Sequence, residues 1–79
     1  MNIAVDISLY PLSEQYVPPI KAFISRLEQH PALTFAKNDL STQVRGEFKV
    51  VFAALQTEIE RTFAARERAV FVIKMVGGG

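Results

Sequence analysis

A chain of 79 residues has room for one small core and buries only about 60% of the surface its unfolded form exposes, so self-association is expected to add to its stability. With 49% hydrophobic and 22% charged residues, the composition is that of a folded globular domain rather than a disordered segment. A net charge of +1 excludes the basic footprint of a nucleic-acid binder, and the lack of cysteine excludes disulfides, thiolate metal sites and cysteine nucleophiles together.

In chain order, Ile3, Val5, Ile7 and Leu9 alternate with Ala4, Asp6, Ser8 and Tyr10, the period of a strand with one buried face. Pro11 cannot donate to a ladder, so the strand is expected to stop near Tyr10, and Ser13, Glu14 and Gln15 read as a polar loop. Pro18 and Pro19 suit a first helical turn, and Ile20, Phe23, Ile24 and Leu27 follow at helical spacing, which predicts a helix over 18–29. Pro31 then pushes His30 out of the helical region.

Leu33 to Lys37 and Ser41 to Glu47 read as two strands of a hairpin turning at Asn38 and Asp39, with Gly46 marking a bulge or a close backbone approach. Phe48, Val51, Phe52, Leu55, Ile59 and Phe63 make one stripe of a second helix, which Glu47 and Arg61 complement at its two ends. Arg66, Glu67 and Arg68 form a loop into Ala69–Val76, a β-prone apolar run expected to be covered on both faces. Residues 1–76 are expected to form a single domain and the three closing glycines, 77–79, a flexible tail. The order strand, helix, strand, strand, helix, strand defines an α+β domain of the ferredoxin-like βαββαβ type, a four-stranded antiparallel sheet with both helices on one face.

If the first strand turns Ile3, Val5, Ile7 and Leu9 to the helices, Asp6, Ser8 and Tyr10 face the other way, joined by Gln43 and Arg45. Three readings of that open face are compatible with the residues: a solvated sheet surface, an interface between copies, or a small-molecule site. In the last, Asp6 would accept from an amine or balance a cation, Gln43 or Asn38 would read a heterocycle edge, and Tyr10 would stack. Arg45 and Glu47 read most simply as a same-face ion pair.

Catalytic signals are missing. His30 is the only histidine and sits in a helix-ending loop, Glu58 and Glu60 are two apart on a helix and read as solvated charges, and no glycine-rich phosphate loop precedes a helix. No enzyme activity and no cofactor is therefore expected. No apolar run approaches the ~20 residues that span a bilayer and Met1 to Asp6 lack the basic start of a secretory signal, so no membrane partner and a cytoplasmic location are expected.

Three segments resemble one family. They are Val5-Asp6-Ile7-Ser8-Leu9-Tyr10-Pro11-Leu12, the helix entry Tyr16-Val17-Pro18-Pro19-Ile20, and Asn38-Asp39-Leu40-Ser41-Thr42-Gln43-Val44-Arg45-Gly46-Glu47-Phe48. Together with Ala69-Val70-Phe71-Val72-Ile73-Lys74-Met75 they are similar to the thiamine-binding, hydroxymethylpyrimidine-binding YkoF-like family, and the Ser-Thr-Gln-x-x-Gly-Glu string is the most specific part. The resemblance implies a ferredoxin-like fold, a homodimer or homotetramer, and non-catalytic binding of thiamine or hydroxymethylpyrimidine in vitamin supply or uptake. Asp6, Ser8, Tyr10, Asn38, Thr42 and Gln43 are the expected ligand-binding residues, Thr42 having the core as its alternative direction. The competing functions are a small oligomeric ferredoxin-like enzyme, such as a cofactor-independent oxygenase, and a structural or regulatory oligomerisation domain.

Overall fold

Alternation in β1 (Asn2–Pro11) sends Ile3, Val5, Ile7 and Leu9 to one side, where all four are buried. That strand belongs to a computed structural model of the chain, which describes residues 1–65 and 68–78. The expected loop residues Arg66 and Glu67, and the last glycine of the expected tail, Gly79, fall outside them.

α1 (Val17–Glu28) starts at Tyr16 without a side-chain cap, and Pro18 and Pro19 occupy its first turn, where the missing N–H groups leave no carbonyl unserved. β2 (Thr34–Lys37) and β3 (Thr42–Glu47) form the hairpin, α2 (Phe48–Ala64) follows directly, and β4 (Ala69–Val76) completes the sheet. Strand order is β2-β3-β1-β4, every neighbour antiparallel. Phe23 and Leu27 of α1 and Val51, Ala54 and Leu55 of α2 share one core with β1 and with Val44 of β3, so both helices cover the same sheet face. The fold is ferredoxin-like α+β.

Glu47 caps α2: its carboxylate accepts from the backbone N–H of Lys49 at 2.9 Å and of Val50 at 3.2 Å. That contact replaces the expected pairing with Arg45. Gly46 marks a close approach and no bulge, since it pairs regularly with Ile3 and a Cβ there would come within 2.8 Å of Leu33 Cδ2.

The buried face of α2 differs from the expected stripe. Val51, Ala54, Leu55, Glu58 and Thr62 are buried, whereas Phe48, Phe52 and Phe63 are 37%, 45% and 50% exposed. Phe48 and Phe52 stack on each other with ring centroids 4.8 Å apart, and Phe63 meets Phe71 edge-on at 5.5 Å. Glu58 turns inward because α1 supplies its partners. Arg26 Nε donates to Glu58 Oε1 at 2.9 Å, His30 Nε2 lies 2.8 Å from Oε2, and Arg26 Nη2 donates to Thr62 Oγ1 at 2.9 Å. A carboxylate so paired tolerates burial, and helical periodicity registers nothing of partners that arrive from another helix.

β4 is likewise not covered on both faces. It is an edge strand, and Val70, Val72, Ile73 and Met75 stand 46%, 45%, 42% and 40% exposed. The two helices pack over the sheet centre and leave this edge open. Among the described residues no helix is long and apolar enough to cross a membrane.

Candidate ligand-binding site

Two strands of unequal length create the site. β1 has 10 residues and β3 has 6, so their pairing ends at Ile7 opposite Thr42, while β1 runs on beside β4 as far as Pro11 opposite Ala69. The space flanking Ser8 to Pro11 is closed by the hairpin turn on one side and the first half of α1 on the other, leaving a cavity of about 350 Å³. Ile20, Phe23 and Ile24 give it an apolar wall, and the exposed residues Tyr10 and Tyr16 stand at it.

The turn itself is built by Asn38. Its Oδ1 accepts from the backbone N–H of Leu40 at 2.8 Å and of Ser41 at 3.0 Å, while its own N–H donates to the Ser41 carbonyl at 3.1 Å. With Oδ1 committed, the amide's Nδ2 is what remains for a ligand. Ser8 Oγ donates to the Leu40 carbonyl at 3.3 Å and ties the turn to β1.

Of the six expected residues, Ser8, Tyr10, Asn38 and Thr42 line this cavity. Thr42 faces the core side with Val44 and is 5% exposed. Its hydroxyl meets no hydrogen-bond partner among the described residues, yet no fully buried side-chain polar atom is left unsatisfied, so Thr42 Oγ1 touches the open space of the cavity.

Asp6 and Gln43 lie opposite each other on the other sheet face. Ser41 Oγ and Gln43 Nε2 both donate to Asp6 Oδ1 at 2.7 Å, and Gln43 Nε2 also reaches Ser41 Oγ at 2.8 Å. These hydrogen bonds from Ser41 and Gln43, with a smaller contribution from the charge of Lys74 across the ladder, outweigh desolvation and hold the Asp6 carboxyl below the ordinary carboxylate range. The structure thus separates the expected set into a cavity group and an open-face group, linked through Ser41, whose residue lines the cavity.

Sequence reasoning did not single out Tyr16, Ile20, Phe23 or Ser41 for the site. The signal that points to them is the length mismatch: a ten-residue alternating strand facing a six-residue partner leaves an unmatched end, and the next elements in the chain must wall it. Among the described residues no group of three or more His, Asp or Glu side chains converges as a metal site.

Fold and cavity together define a ferredoxin-like domain with a ligand-sized pocket at one end of its sheet. The chain belongs to the YkoF-related family, whose model matches residues 2–76. No curated protein sequence matches it. Among solved structures it is similar to a hypothetical protein from Methanocaldococcus jannascii, with 16% identity and a TM-score of 0.84 over 99% of this chain and 81% of that one. A Streptococcus pneumoniae protein follows at 17% identity and a TM-score of 0.78, covering 100% of this chain and 89% of that one. A Thermotoga maritima protein described as a candidate for thiamine biosynthesis or salvage has 16% identity and a TM-score of 0.74, over 99% of this chain and 85% of that one. At such identities these likenesses speak for the fold alone.

Proposed function

We propose that this chain is a non-catalytic carrier or sensor of thiamine or of its hydroxymethylpyrimidine moiety, held in the cavity between the hairpin turn and α1. The observation that carries the reading is a cavity of about 350 Å³, near the lower end of the ~300–1,000 Å³ typical of small-molecule sites, in which the apolar wall of Ile20, Phe23 and Ile24 faces a polar rim of Ser8, Asn38 and the almost enclosed Thr42. An aminopyrimidine is flat and apolar on its faces and polar only at its edge, which suits apolar walls with a hydroxyl and an amide between them. The lining residues include Asp39 and no lysine or arginine, and Tyr10 and Tyr16 offer ring faces, which suits a cationic thiazolium. Family membership and the description of the Thermotoga maritima neighbour support the same vitamin.

The working unit is a homo-oligomer joined through β4. Val70, Val72 and Val76 on its outer face and Ile73 and Met75 on its helix face are all exposed in the single chain, an apolar strip along one sheet edge. An exposed apolar edge strand pairs with its like unless charge or proline blocks it, and Lys74 is the only charge on this strand. The test is isothermal titration with thiamine and with hydroxymethylpyrimidine beside light scattering. Saturable heat from an oligomer at one site per chain is expected; no heat with either compound overturns the ligand, and a monodisperse monomer overturns the assembly.

A further inference from the structure

The cavity has a polar edge that no side chain provides. In an antiparallel ladder each residue turns both its N–H and its C=O to one neighbouring strand, and the next residue turns both to the other. The Leu12 N–H donates to the Arg68 carbonyl at 2.7 Å on the β4 side, and the Met1 carbonyl accepts from the Phe48 N–H at 2.8 Å on the β3 side. Counting by twos from either end gives the same result: Ser8 and Tyr10 bond to β4, and Leu9 faces where β3 would continue. β3 does not continue there, because pairing stops at Ile7 opposite Thr42 and the chain has turned away over residues 38–41. By that alternation Leu9 opposite Phe71 is a non-hydrogen-bonded pair, β3 has no residue opposite it, no backbone bond joins it to the turn, and Leu9 lines the cavity.

We infer that the main chain of Leu9 is the element that reads the ligand, its N–H donating to a ring nitrogen and its C=O accepting from an adjacent exocyclic amine. This inference rests on the function proposed above and names how its site chooses. A residue in extended conformation offers donor and acceptor side by side and pointing the same way, so its complement is a heterocycle with an acceptor next to an amine, the edge of an aminopyrimidine. The ring takes the place of the missing β3 residue. Side chains around it then set shape: Phe23 and Ile20 wall the cavity, and Thr42 supplies a third polar contact. A pyrimidine with hydrogen or a carbonyl in place of the amine leaves the Leu9 C=O unmet and is rejected.

Backbone amide exchange read by NMR tests this on the intact chain. In the free protein the Leu9 amide is expected to exchange at least about tenfold faster than those of Ser8 and Tyr10, which the ladder to β4 protects. Saturating hydroxymethylpyrimidine is expected to slow Leu9 exchange by about tenfold and to move its amide proton downfield, and the analogue lacking the amine to bind about tenfold more weakly. Binding heat with an unmoved Leu9 amide, or equal affinity for the two pyrimidines, overturns the inference and leaves the vitamin-binding reading standing. Slow Leu9 exchange in the free protein overturns the open edge itself. Absence of heat with every pyrimidine overturns the reading and the inference with it.

Discussion

Glu58 of α2 and His30 beyond the end of α1 meet at 2.8 Å, and with Arg26 they form the polar clasp that holds the two helices together above the sheet. Glu58 is 2% exposed, whereas the side chains of Arg26 and His30 are 27% and 31% exposed, so the carboxylate is enclosed and its partners reach solvent. An apolar residue would pack there at less cost in desolvation. What the clasp adds is direction, because a buried carboxylate accepts only the helix pairing that brings its donors.

Removing Glu58 should therefore be expensive. Glu58→Ala is expected to cost about 2–3 kcal/mol in urea unfolding, below the ~3–5 kcal/mol of a fully buried broken pair because Arg26 and His30 can turn to water. Burial pushes the Glu58 carboxyl up, but the hydrogen bonds from His30 and Arg26 and the charge of Arg61 outweigh it, and the net direction is down. A carboxyl lowered by folding binds fewer protons in the native state, so its contribution is full above its unfolded pKa and is lost as pH falls through the folded one. The urea midpoint is expected to drop from about pH 5 downward, less steeply in Glu58→Gln. An equally steep drop in that variant would assign acid sensitivity to other carboxylates, Asp6 being the next candidate by the same sign.

Gly46 is needed for space. Its Cβ in an alanine variant would stand 2.8 Å from Leu33 Cδ2 and 3.3 Å from Val51 Cγ2, so both must shift. Gly46→Ala is expected to cost about 1–2 kcal/mol, the range of a modest overpacking. Combining it with Leu33→Ala should recover part of that cost, a coupling visible in a double-mutant cycle of thermal unfolding. Strict additivity would show that the close approach to Leu33 is not what the glycine serves.

Thr42→Val keeps shape and removes the hydroxyl at the cavity. Thiamine affinity is expected to fall about fivefold to tenfold, the worth of one neutral hydrogen bond, with the unfolding midpoint unchanged or raised. Titration calorimetry and urea unfolding on the same sample separate the two effects. Unchanged affinity would remove Thr42 from the site.

Val72→Lys places a charge on the β4 edge at a position already 45% exposed in the single chain. The fold should tolerate it to within about 0.5 kcal/mol, while assembly through β4 should not. Light scattering is expected to show the wild type as a dimer or tetramer and the variant as a monomer. A variant that assembles as the wild type does would move the interface elsewhere.

Pattern alone determined much of this molecule. The alternation of Ile3, Val5, Ile7 and Leu9, the prolines at 18, 19 and 31, and the hairpin residues 38 and 39 are local signals, legible from local sterics and hydrogen bonding without reference to any tertiary contact. With the helical stripe of Val51, Leu55 and Ile59 and the β-prone run 69–76, they give the six elements and the ferredoxin-like order. Tertiary structure decided which side of α2 is buried, because Glu58 becomes an inward residue only when Arg26 and His30, 32 and 28 positions away, come to meet it. It also decided where the cavity lies. Asp6 and Gln43 share a face by strand parity, but the pocket opens where β3 ends short of β1, and that offset depends on register across the sheet. Periodicity reports the direction of a side chain within its own element; what stands opposite, and whether anything does, is settled only when elements meet.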